Sequence, residues 1–233
     1  INGRGYGLTF GVHTRIEDRV QHIVDRVHAG NLYVNRNQIG AIVGSQPFGG
    51  EGLSGTGPKA GGPDYVMRFA QPVAPQTTVE PPATMADPDA IQRQLDAIPA
   101  ATMPAKGMDM PGPTGESNRL YHVPRAPLLC LGPGAAAAAE QRRQVEALGG
   151  VGIELTGRLE PDALETLNGF AGVIWWGQSD EGRALANALA RRDGEILPVI
   201  TGCPDRAHVN HERHVCVDVT ASGGNAQLLA KVQ

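Results

Sequence analysis

Between residues 128 and 219, short apolar runs and amphipathic stretches take turns, and that rhythm restricts the fold more than any other feature of the chain. Leu128, Leu129, Cys130 and Leu131 form a run of the kind a strand shows when both its faces are buried. Gly132-Pro133-Gly134 ends the run, and a helix is predicted over 135–148. Strands over 151–155, 172–176 and 196–200 and helices over 161–167 and 180–192 continue the series, with Gly194 as a stop. Val215, Val217 and Val219 alternate in a last strand. Strands and helices alternating at this spacing call for right-handed crossovers and a mostly parallel sheet. The expected fold class is α/β, with a Rossmann-like domain over 118–220.

The N-terminal part follows another logic. Leu8, Phe10 and Val12 alternate as in a half-buried strand, and Ile16, Val20, Ile23, Val24 and Val27 recur at helical spacing over 15–28. Gly30 stands where a helix stop belongs, a strand follows over 32–34, and Tyr65, Met67 and Phe69 alternate in a final strand. A strand–helix–strand piece buries too little apolar surface to stand alone. Between its strands, residues 31–62 carry Gly40, Gly44, Gly49, Gly50, Gly52, Gly55, Gly57, Gly61 and Gly62. A flexible linker and an ordered loop both explain such density, but Ile39, Ile42, Val43, Phe48 and Leu53 argue for the loop, its main chain approaching a ligand. From residue 72 to 117 prolines break the chain into a connector holding one short helix, with Asp87 as N-cap, Pro88 in its first turn and Ile91, Leu95 and Ile98 on one face.

A net charge of -4 and 4% aromatic residues offer neither a basic stripe nor a stacking platform, so no nucleic-acid contact is expected. No apolar run reaches the length of a membrane span, and the N-terminus has no charged-then-apolar leader. Three cysteines fit a reducing compartment, so a cytoplasmic location is expected. The opening Ile1-Asn2-Gly3 leads us to expect the tail of a longer polypeptide.

Gly132-x-Gly134-x-x-Ala137 lies between a predicted strand and helix, where a dinucleotide fingerprint would lie, and Glu154 could hold a ribose. Pro133 removes one phosphate-binding N–H, and a tight turn that packs helix on sheet explains the motif equally well. Cys203, His208, His211, His214 and Cys216 invite a zinc reading, but their spacing is irregular and no metal site is assigned to them. Cys130, mid-strand, reads as inert packing, and neither Cys203 nor Cys216 looks like a nucleophile.

The run Gln46-Pro47-Phe48-Gly49-Gly50-Glu51-Gly52-Leu53-Ser54-Gly55-Thr56-Gly57 resembles the C-terminal signature of the aldehyde dehydrogenase superfamily. Residues 1–71 are similar to the glutamate-semialdehyde dehydrogenase part of the bifunctional proline-utilisation flavoenzymes. Gly112-Pro113-Thr114-Gly115-Glu116-Ser117-Asn118 and the closing stretch from Thr220 to Leu229 are similar to the C-terminal domain of the longer members of that family. The resemblance implies a four-part organisation: the end of an aldehyde dehydrogenase domain (1–71), the connector (72–117), the Rossmann-like accessory domain (118–220) and a tail (221–233) that helps close a passage between two active sites. It implies oxidation of proline with FAD and of glutamate semialdehyde with NAD, both cofactors bound mainly upstream of Ile1, together with the nucleophilic cysteine and the general-base glutamate. The catalytic residues are thus expected outside this chain. Gly40 and Ala41 are implied to anchor the substrate carboxylate and Phe48 to line the aldehyde tunnel, which suits backbone N–H groups beside glycines and an aromatic wall. The family further implies homo-oligomers, an oligomerisation strand near 65–69 and peripheral association with the inner membrane. The rival reading is a noncatalytic Rossmann-like interaction or oligomerisation module.

Overall fold

A computed structural model describes residues 1–70, 73, 75 and 84–220. In chain order these form β1 (Tyr6–Gly7), β2 (Thr9–Val12), α1 (Glu17–Val24), β3 (Asn31–Val34), β4 (Glu51–Gly52), α2 (Pro88–Asp96), β5 (Met108–Met110) and β6 (Glu116–Pro124). Then come β7 (Leu128–Cys130), α3 (Gly134–Ala147), β8 (Gly152–Glu154), β9 (Gly172–Ile174), α4 (Ser179–Ala190), β10 (Val199–Ile200), α5 (Arg206–Val209) and β11 (Asn210–Asp218). The chain divides into two compact units, and neither is contiguous in sequence. The predicted tail over 221–233 lies outside the described residues.

Among the described residues, the first unit takes 1–69, 102–123 and 211–220. Its main sheet has the order β2-β3-β11-β6-β5. Strand β3 runs parallel to both β2 and β11, and α1 makes the crossover from β2. On one face Leu32 and Val215 pack with Val24, Val27 and Ala29, joined by the half-buried Phe10, Val20, Ile23 and Val217. Of the residues whose spacing announced the elements, Phe10, Val20, Ile23, Val24 and Val27 reach this cluster, whereas Leu8 and Ile16 are exposed. The other face is polar, as described below.

Two expectations fail in this unit. Residues 65–69 form no strand: Val66–Phe69 is a 3-10 turn with Phe69 78% exposed. The Arg68 N–H donates to the Tyr65 carbonyl, and among the described residues no strand pairs with the segment, so local bonds replace a ladder. The predicted last strand, β11, does not join the Rossmann-like sheet. It lies at the centre of this one, pairing Val215 with Leu32 and Val217 with Val34. Strand β6, which the sequence reading split between connector and accessory domain, runs antiparallel beside it. The Arg125 N–H reaches the Val209 carbonyl at one end and the Val219 N–H the Gly115 carbonyl at the other.

The second unit takes the described residues of 70–101 together with 124–210. Its sheet is all parallel in the order β10-β9-β7-β8, as the strand–helix rhythm required. Apolar clusters cover both faces, Leu129, Ile153, Val173 and Leu189 in one and Leu128, Cys130, Ala138 and Ile174 in the other. Helix α2 starts on Asp87, whose side chain accepts the Asp89 N–H at 3.0 Å, and it buries Ile91 and Leu95 in the first cluster. The helix expected over 161–167 is a 3-10 helix, Pro161–Glu165.

Candidate functional site

The polar face of the five-stranded sheet collects the side chains that hold the glycine-rich segment. Alternation puts Asn31 and Tyr33 of β3 and Glu212, His214 and Cys216 of β11 on this face, opposite Leu32 and Val215. Asn31 is fully buried and is the hub. Its Nδ2 donates to the Pro47 carbonyl at 2.8 Å, and its Oδ1 accepts the Gly49 N–H at 3.1 Å and Lys59 Nζ at 3.0 Å. Lys59 Nζ also donates to the Gly49 carbonyl. A Cβ on Gly30 would meet the Gly49 carbonyl oxygen at 1.9 Å, so the close approach of the loop requires glycine there.

Further along, the Arg36 guanidinium meets Glu116 Oε1 at 2.7 Å and Gln46 Nε2 donates to Glu116 Oε2 at 3.2 Å. Glu51 and Arg213 form a buried ion pair at 2.8 Å. The Lys59 N–H donates to Glu212 Oε2 at 2.6 Å. Burial pushes the Lys59 ammonium down to about 7, against the raising pull of Glu212 and Glu51. Burial likewise takes His214 down to about 3, so it is neutral, and it raises the Glu212 carboxyl. A loop with nine glycines over 31–62 is thereby pinned at Gln46, Pro47, Gly49 and Lys59.

Phe48 is fixed by its backbone: its N–H and carbonyl pair with Ala60 at 3.0 and 2.9 Å, and the residue is 36% exposed. Gly40 has φ 77° and is exposed, and Ala41 is half-buried beside it. The turn that follows is closed by Ser45 and Gln46 N–H groups donating to the Ile42 carbonyl, and by the Ile42 N–H donating to Gln46 Oε1 at 3.2 Å. Among the described residues no backbone bond of this turn uses the amide of Gly40 or Ala41.

The Gly132-x-Gly134 turn of the second unit is filled from within. Buried Gln141 donates to the Gly132 carbonyl at 2.6 Å and accepts its N–H at 2.9 Å. The Trp176 N–H takes the same carbonyl. Glu154 faces Arg142 at 3.7 Å. The Gly132 N–H and the Glu154 carboxylate are thus engaged within the protein, and Pro133 has no N–H to offer. The cysteine–histidine set does not assemble either: His208 caps α5 through Asp205, and His211 and His214 project to opposite faces of β11. The polar partners Glu212, Arg213 and His122 were missed in the sequence because they stand up to 182 residues from Asn31 in the chain and carry no local motif.

Residues 1–74 match the family model described as the aldehyde dehydrogenase family, which sets the class of the glycine-rich unit. The chain as a whole is 36% identical to the bifunctional protein PutA of Salmonella typhimurium, over 98% of this chain and 21% of that protein. Its first part is 54% identical over 70 residues to the 1-pyrroline-5-carboxylate dehydrogenase of Bacillus licheniformis, covering 30% of this chain and 14% of that one. The fold superposes on proline utilization A (PutA) from Corynebacterium freiburgense with a TM-score of 0.55 and 25% identity, covering 93% of this chain and 23% of that one. The chain belongs to the PutA family, corresponding to a C-terminal part of its members. It spans about a fifth of the length of the curated PutA relatives it matches.

Proposed function

We propose that this chain is part of a bifunctional proline-catabolic enzyme that oxidises proline to pyrroline-5-carboxylate with FAD and glutamate semialdehyde to glutamate with NAD. The similarity to PutA over 98% of the chain carries this reading. The chain's share is the substrate anchor. The amides of Gly40 and Ala41 receive the α-carboxylate of the semialdehyde, and Phe48 walls the aldehyde end. Uncommitted N–H groups at a glycine with positive φ are the chemistry that binds a carboxylate, and the network around Asn31 and Lys59 supplies a rigid floor. FAD and NAD belong to the remainder of the enzyme, as do the nucleophile and the base.

Gly40→Val in the full-length enzyme tests the anchor. Open space surrounds Gly40, so valine is opposed by φ 77° alone. The turn shifts, semialdehyde oxidation falls at least tenfold through KM, and proline oxidation is unchanged. Retention of both activities would sink the assignment.

For the second unit the internal use of Gly132 and Glu154 supports a noncatalytic role in assembly. Calorimetric titration of the full chain with NAD should then be silent up to millimolar cofactor. Micromolar binding that is lost on Gly134→Val would restore the fingerprint.

A further inference from the structure

We infer that Asp64, His122 and Glu212 form a binding site for a divalent cation of the zinc class. Asp64 follows the glycine-rich segment, His122 is on β6 and Glu212 on β11. The terminal backbone bonds of the β6–β11 pair fix a register in which His122 stands directly opposite Glu212, so both side chains leave the same face. The three donor atoms lie within 4.8 Å of one another.

Three observations point to a cation there. First, Glu212 is 8% exposed, and its Oε1 is buried without a hydrogen-bond partner while Oε2 takes the Lys59 N–H. A buried carboxylate oxygen left so is costly, and a bound cation would satisfy it. Second, His122 Nε2 is also buried and makes no hydrogen bond, although Asp64 Oδ2 is only 3.3 Å away. Two ligands bound to zinc at about 2.0–2.2 Å in a tetrahedron stand about 3.3–3.5 Å apart, so the pair has the spacing of co-ligands. Third, two carboxylates converge on one imidazole, while Lys59 Nζ donates to Asn31 and Gly49. One imidazole and two carboxylates are a borderline N/O donor set, suited to zinc, with a fourth position for water. The ion would tie the end of the glycine-rich segment to two central strands. This inference is independent of the proposed function, since none of the three residues belongs to the anchor turn.

The test uses the full chain, stripped with a chelator and titrated with Zn²⁺ against a chromophoric competitor, with Co²⁺ as the spectroscopic probe. One equivalent of Zn²⁺ should bind at micromolar Kd or tighter, and Co²⁺ should give visible absorption of a four-coordinate site. Glu212→Gln and Asp64→Asn should each weaken binding at least a hundredfold, while Glu146→Gln in the other unit leaves it unchanged. Absence of stoichiometric binding in the unsubstituted chain overturns the site, as does equal affinity in both variants. Should Glu212→Gln fail to fold, Asp64→Asn and the Co²⁺ spectrum of the unsubstituted chain decide. Zn²⁺-free protein with a proton shared between Asp64 and Glu212, unchanged by added metal, also refutes it.

Discussion

At the scale of single residues, the glycine-rich segment is ordered by polar groups reaching up from the sheet, and Asn31 contributes most. Asn31→Ala strips an acceptor from the Gly49 N–H and the Lys59 ammonium and a donor from the Pro47 carbonyl. Buried groups left unpaired cost about 1–3 kcal/mol each, and partial relaxation should leave a net loss of about 2–4 kcal/mol. Urea denaturation of the chain measures it, and amide exchange at Gly49 should accelerate in parallel. An unchanged midpoint would show that the loop is held by something else. Arg213→Met abandons Glu51 inside the same unit and should cost about 3–5 kcal/mol, read in the same titration. None of this was legible beforehand. Glycines and apolar side chains in one stretch say that a loop is ordered, but an asparagine or arginine in a strand gives no sign of the carbonyl it will meet. The burial of Lys59 against Asn31 could likewise not be read from its neighbours in the chain.

At the scale of elements, local chemistry was a better guide where the cause is itself local. Asp87 and Pro88 announce α2 because capping and a fixed φ act within one turn. Asp87→Ala should cost about 1 kcal/mol, seen in the thermal unfolding of the chain. Apolar runs announce β7 for the same reason, and they also explain its thiol. Burial pushes Cys130 up to about 12 and Cys216 up to about 11, whereas Cys203 is exposed. The thiolate is the reactive species, so iodoacetamide at pH 8 should modify Cys203 promptly and the other two only after denaturation. Mass mapping of the labelled peptides checks this. The linkage has a definite sign. A raised folded pKa means that the stability tied to the protonated thiol is complete below about 8.5, the free-thiol value, and drains as pH climbs toward 12. Cys130→Ala should therefore show a smaller fall in denaturation midpoint between pH 8 and pH 10 than the unsubstituted chain. An equal fall would mean that this thiol does not titrate with unfolding.

At the scale of the molecule, the instructive failure is the placement of β11. Alternating Val215, Val217 and Val219 identify a half-buried strand, but a period of two carries no address, and the strands just before it made the Rossmann-like sheet the natural host. The structure inserts it instead between β3 and β6 of the other sheet, where Val215 completes the apolar cluster and Glu212, His214 and Cys216 complete the polar face. The glycine-rich unit thus depends on residues about 150 positions beyond its loop, and sequence order and domain order part company. A chain ending at Asn210 tests that dependence. It keeps every strand of the parallel sheet, β7 to β10, and loses the central strand of the other. Strand β3 would then expose one edge and β6 would keep only β5 beside it, and a sheet opened through its middle cannot keep its core dry. Hydrogen exchange on the truncated chain should show protection retained in β7, β9 and α4 and abolished in β2, β3 and β6. Supplying a peptide of residues 211–220 in trans should restore part of the protection in β3. Undiminished protection of Leu32 and Tyr33 without the peptide would mean that the first unit closes by itself.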